Sequence, residues 1–263
     1  MTIITPRKRP FTVRHHRKAD GRSLWLYGRV PHVAEPLDEI VGYEPGGAHL
    51  RFHPLRREWL VVSPRRQSRT FAPTGGDNPL AAASPGGAPT EIPFADFEVA
   101  VFQNRFPGLS AEAESAHEVP WQTAPAIGAC EVVVYTTDPT ASMGTLEDGR
   151  RVLLLEALAD RCRHHLEQGA RFVLPFENRG PEVGATLHHP HGQIYAFPFV
   201  PGPQTAVAQA LPTGMTCRAN SIAGARGRGW SRAGTPRASC RLSPGSPTKA
   251  GSRRLPGAPA LPR

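Results

Sequence analysis

The residues with the clearest chemical potential are three histidines and one glutamine within positions 188–193. His189, His191 and Gln193 alternate along the chain, and alternate side chains of an extended segment lie on one face of a strand. An imidazole with its ordinary pKa of about 6.5 is largely unprotonated at neutral pH and can attack phosphorus. The segment therefore has the groups needed for covalent nucleotidyl transfer.

Gln193 bears on which phosphoryl reaction is expected. Its amide can donate a hydrogen bond to a phosphoryl oxygen but cannot protonate a leaving group, whereas a third histidine there could act as an acid in hydrolysis. The glutamine thus favours transfer over hydrolysis. For the histidines taken alone, a metal site or a set of half-buried strand residues is the competing interpretation.

The elements around this segment predict an α+β fold, a mostly antiparallel sheet with a packed helix. Strands are expected where short β-branched and aromatic runs are bounded by turn residues, at 49–62 with a turn inside it, 97–102, 130–135, 171–176 and 192–199. Apolar residues near helical spacing, without proline, predict a helix over 145–168 that ends at Gly169. Residues 72–93, rich in Gly, Pro, Ala and Ser, predict a surface loop.

The positive charge of the chain is concentrated at one end. Residues 211–263 hold ten Lys or Arg and no acidic residue, which leaves 21 basic against 22 acidic residues in positions 1–210. From residue 201 onward Pro, Gly, Ala, Ser and Arg dominate, which predicts a disordered basic tail over 201–263. These residue types share GC-rich codons, so a frameshifted continuation explains them better than a natural tail that contacts nucleic acid.

The cysteines and the hydropathy pattern favour a cytoplasmic protein. The chain has four cysteines, and none are paired at CxxC spacing, so they indicate neither a disulfide framework nor a thiolate metal site. No apolar run approaches the ~18 residues of a membrane span, and the basic N-terminus lacks the apolar region of a signal peptide.

The His-Pro-His-Gly-Gln segment at 189–193 resembles the active-site motif of the galactose-1-phosphate uridylyltransferases, a branch of the histidine triad superfamily. Upstream, Phe-Glu-Asn-Arg-Gly at 176–180 is similar to another segment of that family, followed by Gly184 and Thr186 at its glycine and hydroxyl positions. Residues 56–69 resemble its first strand and Ser-Pro-x-Arg-x-x-Arg loop, and 102–106 resemble its Phe-x-Asn-x-Phe segment.

This resemblance implies a domain over 48–200, after a lead-in at 1–47, and a ping-pong reaction between UDP-glucose and galactose 1-phosphate through a uridylyl-histidine. His191 would be the nucleophile, and Gln193 would hold an α-phosphoryl oxygen. The implied substrate-binding residues are Arg66, Arg69, Phe102, Asn104, Asn178, Gly184 and Thr186. For the two arginines the alternative is a solvated basic loop, and for Phe102 it is the sheet core.

The sequence departs from the family at the positions of its zinc ligands. The CxxC pair is replaced by Asn78 and Ala81, and the middle histidine by Pro139, so that only His189 remains. One ligand cannot complete a tetrahedral site, and we expect no tightly bound zinc. The family's second domain, which supplies hexose contacts and part of a dimeric site, has no counterpart after Pro201, so dimerisation is not expected from the sequence.

Two other functions compete with this interpretation. A nucleotide phosphorylase of the same superfamily also uses His-x-His-x-Gln, but the segments at 56–69 and 176–180 favour the uridylyltransferases. A non-catalytic nucleic-acid binder would act through the basic tail, with an affinity that falls steeply with salt. Trp230 is the only aromatic residue after Phe199, which disfavours that function.

Overall fold

The computed structural model describes residues 11–43, 47–64, 78–114, 120–183, 185 and 187–210. Within them, the elements in chain order are β1 (Thr12–Arg17), β2 (Ser23–Gly28), β3 (His49–His53), β4 (Glu58–Val62), β5 (Val99–Gln103), β6 (Thr123–Pro125), β7 (Ala129–Val134), α1 (Asp148–Glu167), β8 (Phe172–Phe176), a 3₁₀ turn (Pro181–Val183), β9 (His191–Phe197) and α2 (Gly202–Ala210).

Six of the strands form one antiparallel sheet in the order β1-β2-β5-β7-β9-β8, and β4-β3-β6 form a smaller one. The valine-rich strands β5 and β7 lie in the middle of the larger sheet and are almost wholly buried, as expected for strands covered on both faces. The predicted α+β class is therefore confirmed.

Helix α1 covers one face of the large sheet. Its buried residues Leu153, Leu154 and Ala157 belong to the same core cluster as Val133 and Ile194 of the sheet. The helix ends as predicted at Gly169, whose φ of 96° is in the left-handed region that favours glycine. The Gly169 N–H donates to the Leu166 carbonyl, and the next N–H donates to the His165 carbonyl, so the last turn is capped by the backbone.

The loop over 78–97 covers the opposite face. Its Leu80, Ile92 and Phe94 are buried against strand residues that include Ala100 and Phe102. The expected loop is therefore present in the described part and residues 84–89 are exposed, but it is not wholly at the surface, because composition indicates turns and does not reveal which few apolar side chains reach the core. Residues 72–77 lie outside the described residues.

A buried cluster of charges fastens this loop to the β1–β2 hairpin. The Glu91 carboxylate is 2.8 Å from both the Lys18 Nζ and an Arg22 guanidinium nitrogen, and all three residues are buried. Burial lowers the pKa of Lys18, and the contact with Glu91 acts in the opposite direction. The cluster therefore holds the loop in a fixed position against the sheet.

Two predicted boundaries need correction. Residues 1–47 were expected to be a lead-in, but β1 and β2 within them are strands of the large sheet. Residues 201–263 were expected to be a disordered tail, but Gly202–Ala210 form α2, and 211–263 lie outside the described residues. No helix of the described ranges combines the length and apolarity needed to cross a membrane.

Candidate active site

Strand β9 places His191 and Gln193 on the same face of the large sheet. Its register pairs His191 with Val134, and Gln193 with Val132 on one side and Phe176 on the other. Because side chains alternate across a strand, the intervening Gly192 faces α1 while the two polar residues face the opposite side. The predicted alternation is confirmed for His191 and Gln193, whereas His189 lies in a bend before β9 and is not part of the strand.

The backbone fixes the protonation pattern of the His191 ring. Its Nδ1 lies 2.7 Å from the carbonyl oxygen of His189, and a carbonyl oxygen only accepts hydrogen bonds, so Nδ1 carries the proton. In the neutral ring the lone pair is then on Nε2. Since the residue is only partly buried, His191 presents a nucleophilic nitrogen on an accessible face.

Gln193 carries a polar atom without a partner. Its side-chain Oε1 is buried and has no hydrogen bond to any residue that the structure describes. Leaving such an atom unpaired costs about 1–3 kcal/mol, and a carboxamide can turn over to offer either its oxygen or its NH₂. The amide is therefore available to a ligand that binds beside His191.

Gly192 lets β9 pass close to its neighbours. A Cβ atom at this position would lie 2.9 Å from the backbone oxygen of Phe176 and in collision with the Tyr135 hydroxyl. Tyr135 in turn donates a 3.4 Å hydrogen bond to Glu177. Gly192, which stands between His191 and Gln193 in the motif, is thus required because Tyr135 and Phe176 leave no room for a side chain.

We predict that Gly192→Ala lowers the free energy of unfolding by about 1–3 kcal/mol, because the added methyl group forces a shift in backbone or in a buried ring. Urea denaturation measures the change. Gly202→Ala is the matched control, since a Cβ there meets nothing within 4 Å. An equal effect of both substitutions would contradict the packing explanation.

His189 is held at both ring nitrogens. Its Nε2 lies 2.7 Å from the Thr136 carbonyl oxygen, its Nδ1 lies 2.8 Å from the Asn78 Nδ2, and only 2% of the residue is exposed. Burial lowers its pKa, so the ring is neutral. The contact between Asn78 and His189 was not predicted from the sequence. The signal that could have indicated it is that Asn78 stands where the family has a zinc ligand, as His189 does.

The described residues do not fit a tetrahedral zinc site. Ala81 and Pro139 carry no donor atoms, and both nitrogens of His189 are already engaged. No three metal-binding side chains come together within the described ranges.

The other predicted site residues are more dispersed. Phe102 lies in the same cross-strand row as Gln193, but it is only 2% exposed and packs in the core. The backbone N–H of Asn104 donates to the Cys130 carbonyl. Cys130 lies on β7 at a distance of roughly 13 Å from Val134, the strand partner of His191, at about 3.3 Å per residue. Asn178 is exposed just after β8. Arg66, Arg69, Gly184 and Thr186 lie outside the described residues.

Asn104 lines a cavity of about 300 Å³ at this far end of the sheet. The cavity is also lined by Trp25, Glu131, Arg161 and His165. The Glu131 carboxylate is buried and bonded to the Arg161 guanidinium, with an Nε distance of 3.0 Å. Asn104 is thus near a ligand-sized space that is separate from His191 along the strand.

Comparisons with known proteins agree with the motif. Residues 89–201 match the family model for the N-terminal domain of galactose-1-phosphate uridyl transferase. A galactose-1-phosphate uridylyltransferase of Thermotoga maritima is 37% identical over 156 residues, which are 58% of this chain and 47% of the relative. One of Streptomyces lividans is 36% identical over 199 residues, covering 73% of this chain and 50% of the relative.

A solved uridylyltransferase structure superposes with a TM-score of 0.51 and 31% identity, covering 62% of this chain and 50% of that one. The chain spans about half the length of the curated relatives that it matches.

Proposed function

We propose that this chain, which belongs to the galactose-1-phosphate uridylyltransferase family through its residues 89–201, takes the uridylyl group of UDP-glucose onto His191. The hydrogen bond from His191 Nδ1 to the His189 carbonyl carries the proposal, because it leaves the Nε2 lone pair directed away from the backbone. The acceptor that completes the transfer would be galactose 1-phosphate.

The first half-reaction balances without an external acid or base. The Nε2 lone pair attacks the α-phosphorus, the bond from that phosphorus to the bridging oxygen breaks, and glucose 1-phosphate leaves with the electron pair. The resulting imidazolium keeps its Nδ1 proton. The hydrogen bond to the His189 carbonyl strengthens as this charge develops, since bonds to charged groups are worth about 1.5–3 kcal/mol.

Gln193 would stabilise the same step. Its carboxamide, whose Oε1 has no partner among the described residues, lies on the face of His191, and its NH₂ can donate to a non-bridging α-phosphoryl oxygen as negative charge accumulates there. Because an amide does not release a proton, water gains no acid catalyst for hydrolysing the intermediate. The intermediate would then persist until a second sugar phosphate attacks.

The second half-reaction returns the site to its starting state. A phosphate oxygen of galactose 1-phosphate attacks the α-phosphorus, the P–N bond breaks, and its electron pair goes back to Nε2. UDP-galactose would be the product. Asn104 and Asn178, by their resemblance to the family's motifs, would contact the nucleoside, and Arg66, Arg69 and Thr186 would engage phosphates.

The proposal is tested with UDP-glucose labelled in the α-phosphate. We expect label on the protein that is stable in base and labile in acid, released glucose 1-phosphate in equal amount, and discharge of the label into UDP-galactose on addition of galactose 1-phosphate. Label that reaches free UMP without a protein-bound stage would contradict the proposal.

A second candidate is a nucleotide phosphorylase, because an ADP-glucose phosphorylase of Arabidopsis thaliana is 23% identical over 176 residues. The same experiment with labelled ADP-glucose separates the two functions. Protein labelling by ADP-glucose but not by UDP-glucose would favour the phosphorylase.

A further inference from the structure

The orientation of the Asn78 side chain is fixed from two sides. Its Oδ1 accepts a 3.1 Å hydrogen bond from the Leu80 N–H, so the amide nitrogen must point the other way. There the Nδ2 lies 2.8 Å from the Nδ1 of His189. The asparagine therefore donates to the histidine ring.

The tautomer of His189 is fixed independently at its other end. The Thr136 carbonyl oxygen, 2.7 Å from Nε2, can only accept, so Nε2 carries the proton and Nδ1 carries the lone pair. That lone pair is the acceptor that Asn78 requires. Two contacts from different parts of the chain thus select the same neutral tautomer and leave no lone pair on the ring for a metal.

His189 lies two residues before the nucleophile in the chain. The backbone carbonyl of the same residue accepts the His191 Nδ1–H at 2.7 Å, so the position of residue 189 sets the position and tautomer of the attacking imidazole. Asn78 lies at one end of the loop over 78–97, which the buried Glu91 cluster fastens to the β1–β2 hairpin. The chain of contacts therefore runs from the covering loop to the reacting atom.

We propose that Asn78 is a positioning residue for His191, acting through a neutral His189 in a metal-free link that occupies the place of the family's zinc. The link joins the covering loop, the segment after β7 and the start of β9 by hydrogen bonds alone. The expected effect of Asn78 on the labelling of His191 rests on the proposed function, whereas its expected effect on the tautomers of the two histidines does not.

The test compares Asn78→Ala with Asn78→Ser in the full chain. A serine hydroxyl can still accept the Leu80 N–H, as in an ST-turn, but is too short to reach His189. We expect the rate of His191 labelling to fall by about 10- to 100-fold in both variants, as is typical when a residue that positions a functional side chain by a hydrogen bond is lost. The dissociation constant for UDP-glucose is expected to change less than twofold, since Asn78 contacts His189 rather than a ligand.

The second readout is ¹⁵N NMR of the imidazole nitrogens, which does not depend on activity. In the wild type we expect His189 protonated on Nε2 and His191 protonated on Nδ1. In both variants we expect the His189 Nδ1 resonance to shift because its donor is lost, and His191 to show a mixture of tautomers because the carbonyl of residue 189 is no longer held in place. Metal analysis and prolonged chelation are expected to leave the wild-type spectrum and labelling rate unchanged. Thermal unfolding checks that each variant is folded.

Several outcomes would overturn the proposal: wild-type labelling and spectra in Asn78→Ala, full recovery in Asn78→Ser, or a wild-type His189 bound to a metal. If the wild type forms no adduct at all, the proposed function fails, and the His191 tautomer in the two variants still decides whether Asn78 positions that ring.

Discussion

Replacing His191 by alanine is expected to reduce protein labelling by UDP-glucose by more than about a thousandfold, to the background level. The physical reason is that in the proposed reaction His191 Nε2 is the nitrogen that would form the P–N bond, and a neighbouring group could take over that role only if the site were rebuilt. Its Nδ1 is committed to the His189 carbonyl, and both ring nitrogens of His189 are committed to Thr136 and Asn78. The measurement is quantitative counting of base-stable label on purified protein.

His188→Ala is the matched control for this prediction. His188 is exposed and immediately precedes the buried His189, so it offers the same functional group on a different side of the chain. We expect the control to label within a few-fold of the wild type. Retention of label in His191→Ala together with its loss in His188→Ala would show that the wrong histidine was assigned.

Removal of the Glu91 carboxylate is expected to give the largest loss of stability. Glu91→Ala leaves the Lys18 ammonium and the Arg22 guanidinium buried without the carboxylate that lies 2.8 Å from each. Arg22 keeps its 2.8 Å contact with Asp20, so the loss falls on Lys18. Breaking a buried ion pair from one side costs about 3–5 kcal/mol, because the remaining charge has lost its water and its partner. The midpoint and slope of urea denaturation measure the change.

Glu58→Ala provides the comparison at the surface. Glu58 pairs with Arg56 at 2.7 Å, but the Arg56 side chain is 68% exposed, and exposed pairs contribute about 0–1 kcal/mol. If Glu91→Ala cost no more than Glu58→Ala, the buried cluster would not hold the loop in place. A loss of labelling in folded Glu91→Ala would further link the loop to the active site.

The catalytic strand was predictable because its information is local. His191 and Gln193 are two residues apart, and strand periodicity alone places them on one face, whereas the same periodicity wrongly extends the strand to His189, which lies in a bend before β9. The helix α1 was predictable for the same reason, since an apolar period without proline and a terminal glycine are contained in one stretch of chain.

The features that sequence reasoning missed depend on contacts between distant segments. Strand β1 has the sequence Thr-Val-Arg-His-His-Arg, which lacks an apolar alternation, and it is a strand because β2 pairs with it along its whole length. The hydrogen bond between Asn78 and His189 joins residues that are 111 positions apart. Local patterns report neither kind of contact.

The claim that His191 becomes covalently uridylylated can be tested by peptide mass spectrometry after incubation with UDP-glucose and a quench in base. We predict one uridylyl group on the peptide that contains His191, formed in equal amount with free glucose 1-phosphate. A folded protein that binds UDP-glucose and carries no such group, or carries it on another residue, would contradict the claim.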